Sequence, residues 1–295
     1  MLALSLGSYL WYFQQSDTSD TDHTDIRSVP PKAKLILATG EHFYLENMEQ
    51  NISIKDLGVK ISKDSVSNAL YYNIDSLGEE NLPTEYNQLI IPKGGEFSLK
   101  LADGSTVWLN SESTLKFPVQ FTSACREVYL EGEAYFVVAK NEKRPFIVNL
   151  NGPAIQVVGT SFNVQDYPEN KDIVVCLDEG NINLALPTEK KYPVRPGERL
   201  IYNKESNECT ISRMDDMRRL SMWKQNVIVF KDTPLPEVIK VLNRWYDVDF
   251  KIEDERALTY VYTLTSDNTL LEKVLMDLEK IAPVKFDYNE DKKEV

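Results

Sequence analysis

Residues 126–138 read REVYLEGEAYFVV. Val128, Leu130, Ala134, Phe136 and Val138 all fall on even positions and so share one face of an extended strand, while Glu131 and Glu133 lie together on the other. A strand of this kind is buried on one side and wet on the other, which points to layered β structure.

Outward from this stretch, the same rhythm of short strands runs from Lys34 to Ile211. It is broken by Gly94-Gly95, Asp103-Gly104, Gly132, Asn151-Gly152-Pro153, Gly180-Asn181 and Pro196-Gly197. The run IVVCL at 173–177 is apolar throughout, as a strand covered on both faces would be. Val107 and Leu109 alternate inward from the Asp103-Gly104 turn, with Trp108 facing the other side. Pro145 opens the strand FIVN where no amide donor is required, and Gly159 admits a bulge or a close backbone approach. The fold class read from this is all-β, a β-sandwich or solenoid-like body over 87–213. A weak repeat extends it towards the N-terminus. LILATGEHFYLEN (35–47) runs in phase with LKLADGSTVWLNS (99–111), with Gly40 and Gly104 at matching turn positions of two hairpins. Residues 34–86 are therefore expected to form an N-terminal β unit of the same body.

Past Met222 the period changes. VIVF (227–230) reads as a strand, and Thr233-Pro234 as the cap and first position of a helix carrying Leu235, Val238, Ile239 and Leu242. Strands are expected at Val248–Ile252 and Leu258–Leu264. A second helix is expected from Thr269, with Glu272 as its capping-box partner and Leu271, Val274, Leu275 and Leu278 inward. VKFDY (284–288) reads as a last strand. The order β-α-β-β-α-β describes a small α+β domain over 223–290. Its sheet edges are open to a partner's strand, and Trp245, Tyr246, Tyr260 and Tyr262 are its candidate partner-binding residues.

The first thirteen residues, MLALSLGSYLWYF, are apolar but shorter than the ~20 that span a bilayer, and no Lys or Arg precedes them. They read as the remnant of a transmembrane helix, with Trp11, Tyr12 and Phe13 at the headgroups. Residues 14–33 follow as a flexible acidic linker, in which a lone His23 has no preorganised metal geometry.

A net charge of −13 argues against nucleic acid, which needs clustered cations, and favours protein partners. Cys125, Cys176 and Cys209 show no CxxC spacing. Three unpaired thiols is the simpler reading, and a Cys176–Cys209 bridge the alternative. With only His23 and His42, neither a Ser-His-Asp triad nor a His-rich metal site has a basis. The one catalytic candidate is the pair Glu131 and Glu133, as acid and base of a glycosidase, although carboxylates at this spacing are more often a solvated strand face. No catalytic residue, cofactor or metal ion is therefore expected.

Several segments in order resemble one family: residues 91–121 (IPKGGEFSLKLADGSTVWLNSESTLKFPVQF), then REVYLEGEAYFVV, RPFIVN, VVGTSFNVQDY, CLDEGNINL and VRPGERLIYN. They resemble the FecR family of extracytoplasmic signal-transducing regulators over about 88–202. FKDTPLPEVIKVLNRWYDVDF (230–250) is similar to the C-terminal domain that often follows, itself like the N-terminal module of secretins and TonB receptors. The resemblance implies a non-enzymatic anti-sigma factor, single-pass in the inner membrane with its bulk in the periplasm. Its implied partners are the N-terminal signalling domain of an outer-membrane TonB-dependent transducer and an extracytoplasmic-function sigma factor. The latter would be held by a cytosolic domain that these residues lack. Some members are thought to cleave themselves at a Gly-Thr bond, here Gly159-Thr160. The competing readings are a carbohydrate-active β-sandwich protein and a structural secretin-type component.

Overall fold

A computed structural model describes residues 33–45, 52–54, 59–64, 69–74, 85–216, 219, 221–267 and 270–295. The expected membrane remnant (1–13), nearly all of the linker (14–33) and Thr269 lie outside them. No helix among the described residues is long and apolar enough to cross a membrane.

From Lys34 to Arg213 these residues form two sheets. In spatial order the front sheet is β2 (His42–Tyr44), β1 (Lys34–Ile36), β6 (Tyr86–Ile91), β9 (Ser113–Pro118), β10 (Arg126–Val137), β11 (Phe146–Asn149), β12 (Ala154–Val157), β15 (Ile182–Ala185) and β16 (Lys191–Val194). The back sheet is β3 (Ile52–Ile54), β4 (Val59–Asp64), β5 (Ala69–Ile74), β7 (Phe97–Lys100), β8 (Thr106–Leu109), β10 again, β13 (Ser161–Asp166), β14 (Asp172–Glu179), β17 (Glu198–Asn203) and β18 (Cys209–Arg213).

Strand β10 belongs to both sheets. Up to Glu131 it pairs with β9 and β11, and from Gly132 onward with β8 and β13. The handover needs glycine. Gly132 has φ +100°, and a Cβ there would sit 2.5 Å from Ser113 Oγ and 2.7 Å from its Cα.

Inward side chains of both sheets make one core. Leu89, Leu115, Val128 and Phe146 come from the front, and Leu99, Val107, Phe136 and Phe162 from the back. Phe136 stacks on Phe162 at 5.0 Å and meets Phe146 edge-on at 6.2 Å across the sandwich. Emptying such a position costs about 3–5 kcal/mol.

The two expected hairpins close in the same way. Leu37 N donates to Glu41 O and Gly40 N to Leu37 O; Leu101 N donates to Ser105 O and Gly104 N to Leu101 O. The two glycines have φ +87° and +86°. One hairpin lies in the front sheet and the other in the back. A third copy closes β15–β16, where Glu189 adopts φ +65° without glycine. The second hairpin is pinned by Arg126, almost wholly buried, whose Nη1 donates to Asp103 Oδ2 and Ala139 O, each at 2.7 Å.

The C-terminal region has its own core and pairs β19 (Val227–Pro234) with β20 (Val261–Asp267) under α1 (Leu235–Tyr246) and α2 (Leu271–Ile281). Leu235, Val238 and Leu242 are buried on α1, and Leu271, Val274, Leu275 and Leu278 on α2, as their spacing predicts. Details differ from the expectation. Pro234 rather than Thr233 occupies the N-cap of α1, while the Thr233 hydroxyl accepts from Lys231 N at a bulge in β19. Residues 255–259 form a 3₁₀ turn, so the following strand starts at Val261. The expected strand at 248–252 reduces to one isolated bridge, Asp249 to Glu294, with backbone bonds from Asp249 and Lys251 to the chain end at Lys293 and Val295, and the expected strand at 284–288 does not form.

Candidate functional site

The outer face of the back sheet carries a straight cross-strand row, Trp108–Tyr135–Asn163–Cys176–Arg199. These side chains point outward because their neighbours, Val107, Phe136, Phe162, Val175 and Leu200, fill the core. The row is covered by the chain's own continuation. A 3₁₀ turn, Met222–Gln225, lays Trp223 against it, and the indole Nε1 donates to Asn163 Oδ1 at 3.2 Å. Lys224 Nζ sits 3.5 Å from the centroid of the Tyr135 ring and 4.6 Å from that of Trp108. Burial draws the Lys224 ammonium below its ordinary value, against the pull of Asp178.

Next to the row lies a buried carboxylate. Glu133 accepts from Asn110 Nδ2 at 2.8 Å, Asn163 Nδ2 at 2.9 Å and Gln165 Nε2 at 2.8 Å. Three amide donors stand in for water around one charge. Trp223 joins the same chain of bonds through Asn163, which ties the turn at Met222–Gln225 to the carboxylate network.

A second joint forms at the end of α1. Arg244 is buried, its Nη1 meets Glu169 Oε1 at 2.6 Å, and its guanidinium lies 4.0 Å over the Tyr167 ring. Its carbonyl accepts from Gly94 N at 2.7 Å. Gly94 takes φ +71°, a backbone conformation that side chains rarely adopt, and a Cβ there would meet Trp245 O only in ordinary contact at 3.5 Å. Tyr167 in turn donates to Ser111 O, and burial beside Glu133 pushes its phenol well above the ordinary value. Between the joints lies a cleft of about 370 Å³, bordered by Glu133, Gln165, Arg199, Trp223, Arg244 and Trp245.

Family models match this chain twice: the FecR protein model over residues 87–183, and the FecR C-terminal model over 227–295. Together they take in more than half of the sequence. The chain belongs to the FecR family. Two solved structures, each described as a "putative anti-sigma factor" from Parabacteroides distasonis ATCC 8503, share 28% identity with it. The one at 1.65 Å covers 68% of this chain and 94% of its own, with a TM-score of 0.63. The other, at 2.50 Å, covers 70% and 95%, with a TM-score of 0.64. No curated protein matches.

Within this FecR-family chain the residues singled out from the sequence are dispersed. Trp245 borders the cleft. Tyr246 packs half-buried on the C-terminal core, and burial holds its phenol above the ordinary value. Tyr260 is also half-buried, while Tyr262 lies in the core with its hydroxyl unpartnered. Gly159 packs against Lys140, whose Cα would lie 2.8 Å from an added Cβ, and Thr160 is buried with its hydroxyl donating to Asn181 O at 3.1 Å. Glu131 and Glu133, expected on one face, border different hollows because the strand changes sheets at Gly132 between them. The two carboxylates therefore do not form an acid–base pair across one sugar. All three cysteines are free, and burial pushes Cys176 up to about 12. Among the described residues no group of carboxylate, His and Cys side chains could hold a metal ion.

Of the joint residues, Glu133 was marked only as half of a carboxylate pair, and Asn163, Trp223 and Lys224 carried no local pattern. Arg244 carried the nearest signal, a charge in the last turn of an amphipathic helix, which reads equally well as a dipole partner.

Proposed function

We propose that this chain is the extracytoplasmic part of a membrane-anchored anti-sigma regulator, one that works by protein contact. It takes a signal from the N-terminal signalling domain of an outer-membrane TonB-dependent transducer and relays it to an extracytoplasmic-function sigma factor across the inner membrane. The observation that carries the reading is the pairing of two FecR-family modules joined by the Trp223 and Arg244 contacts. A C-terminal domain so attached is able to pass a pull or a rotation to the β body. Its two-stranded sheet supports the receiving role. Among the described residues β19 and β20 pair only with each other, which leaves backbone edges for an added strand, and Val261 on β20 is exposed. Trp245, Tyr246 and Tyr260 would frame that surface, with Tyr262 supporting it from beneath. The likeness of this domain to secretin and TonB-receptor modules belongs to the same reading.

The test is binding of the transducer's isolated signalling domain to the full chain and to a chain lacking residues 223–295, alongside a sigma-dependent reporter. Loss of binding and of reporter response in the shortened chain is expected; unchanged binding would sink the proposal.

Cleavage at Gly159-Thr160 is part of the same proposal. The Thr160 oxygen would leave Asn181, attack the Gly159 carbonyl carbon and displace the Thr160 nitrogen as an amine, giving an ester that water opens. Intact-mass measurement should find two fragments that vanish in Thr160→Ala.

A further inference from the structure

The outer face of the front sheet carries a groove of its own, of about 380 Å³. Its floor is a second cross-strand row. Gln88 pairs with Lys116, Lys116 with Tyr129, and Tyr129 with Asn149, on the four adjacent strands β6, β9, β10 and β11. Their neighbours Leu89, Leu115, Val128 and Val148 fill the core, so all four point outward. Thr114 and Glu131 pair in the next row and also line the groove.

The wall is held in place. Asp166, almost fully buried, accepts from Asn151 N at 2.7 Å and pairs with Lys204 Nζ at 2.8 Å, which fixes the loop that carries Asn151 over the groove. Tyr129 meets Tyr86 edge-on at 5.8 Å, and Lys116 Nζ stands 5.0 and 5.5 Å from the two ring centroids. Tyr129 is nevertheless 40% exposed.

The chemistry of this lining selects its ligand class. Three primary amides from Gln88, Asn149 and Asn151 can each donate and accept, Thr114 can do both, Glu131 accepts and Lys116 donates. Such a set suits vicinal hydroxyl groups, which also do both. A half-exposed tyrosine offers an apolar platform for the C–H face of a ring. Most of the side chains that line the groove are polar, unlike the dry centre of a protein hot spot. Lys116 is offset by Glu131, so no cationic cluster invites phosphate. Four strands spaced about 4.8 Å apart make a row about 14 Å long, room for several sugar rings end to end.

We propose that this groove binds a neutral saccharide chain. It binds without hydrolysing, because Glu131 has no free carboxylate partner there: Asp166 is already engaged by Lys204 and the Asn151 amide. The proposal stands apart from the anti-sigma reading and would survive its failure.

The test uses the full chain, fluorescently labelled, on an array of neutral plant, fungal and animal glycans, followed by calorimetric titration with the best oligosaccharide found. Gln88→Ala, Tyr129→Ala and Asn149→Ala should each weaken binding about tenfold, the worth of one good contact, with melting temperatures unchanged. Thr210→Ala, exposed on the opposite sheet and outside both hollows, should bind as the parent does. Retention of no glycan by the parent chain would overturn the proposal. So would retention of acidic glycans alone, or affinity unchanged in all three variants.

Discussion

The outer faces of the two sheets carry rows of similar make-up: Trp108–Tyr135–Asn163–Cys176–Arg199 on the back, Gln88–Lys116–Tyr129–Asn149 on the front. Each places a tyrosine beside an amide and a lysine over the tyrosine ring. On the back that lysine is Lys224, delivered by the 3₁₀ turn Met222–Gln225; on the front it is Lys116, from the sheet itself. The back row is therefore closed by the protein's own C-terminal region, and the front row is satisfied locally but open above. Where a face must hold a domain, the polar groups are bonded in sequence from Glu133 through Asn163 to Trp223. Where it stays open, the same kinds of group keep spare donors and acceptors.

The sharpest way to break the contrast is at Glu133. Glu133→Ala strands the amides of Asn110, Asn163 and Gln165, and should cost about 3 kcal/mol in urea unfolding. A loss below about 1 kcal/mol would mean that the network does not hold the cover.

A smaller effect should follow pH. Burial raises the Glu96 carboxyl to about 7, and the residue lies in the loop whose Gly94 N bonds Arg244 O. A folded value above the unfolded one favours the neutral form. The stabilisation is therefore full below about pH 4.5 and is lost as pH rises through about 7, on the order of 2 kcal/mol. Glu96→Gln should flatten that stretch of the stability profile; an unchanged profile would remove Glu96 from the account.

Arg244→Ala should loosen the docking by about 1.5 kcal/mol through loss of the Tyr167 contact and a half-exposed ion pair. Hydrogen exchange should speed up in α1 and in residues 93–96, while β10 stays protected. Equal acceleration everywhere would mean that the joint is not local. On the open face, Tyr129→Ala should shift stability by less than about 0.5 kcal/mol. A larger loss would show that this tyrosine braces the sheet.

Much of this was legible from short-range pattern. The matching hairpins at Gly40 and Gly104, the inward set around Val128 and Phe136, and the buried stripes of both helices all follow from periodicity and turn chemistry. What was not legible depends on contacts distant in sequence. A period of two cannot reveal that β10 changes sheets, so Glu131 and Glu133 looked like neighbours on one face. Nor does any local signal say that Trp223 will find Asn163, sixty residues away. Residues 248–252 and 284–288 had strand-like composition, but the first found only the chain end to bridge to and the second pairs with no strand. Tyr260 and Tyr262 both fall in the strand expected at 258–264, but β20 begins only at Val261, so Tyr262 alone is carried into the core by the sheet.

The shared strand has one more consequence, for a chain nicked between Gly159 and Thr160. Everything up to residue 159 includes β10 and β12, and everything after it includes β13 and β15. The ladders from Gly132–Asp166 to Val137–Ser161 and from Ala154–Ala185 to Gln156–Asn183 cross the break. Phe136 and Phe162, stacked in the centre of the core, come from opposite pieces. A severed backbone would thus leave two polypeptides interlocked as a non-covalent heterodimer, separable in denaturant but migrating as one particle under native conditions.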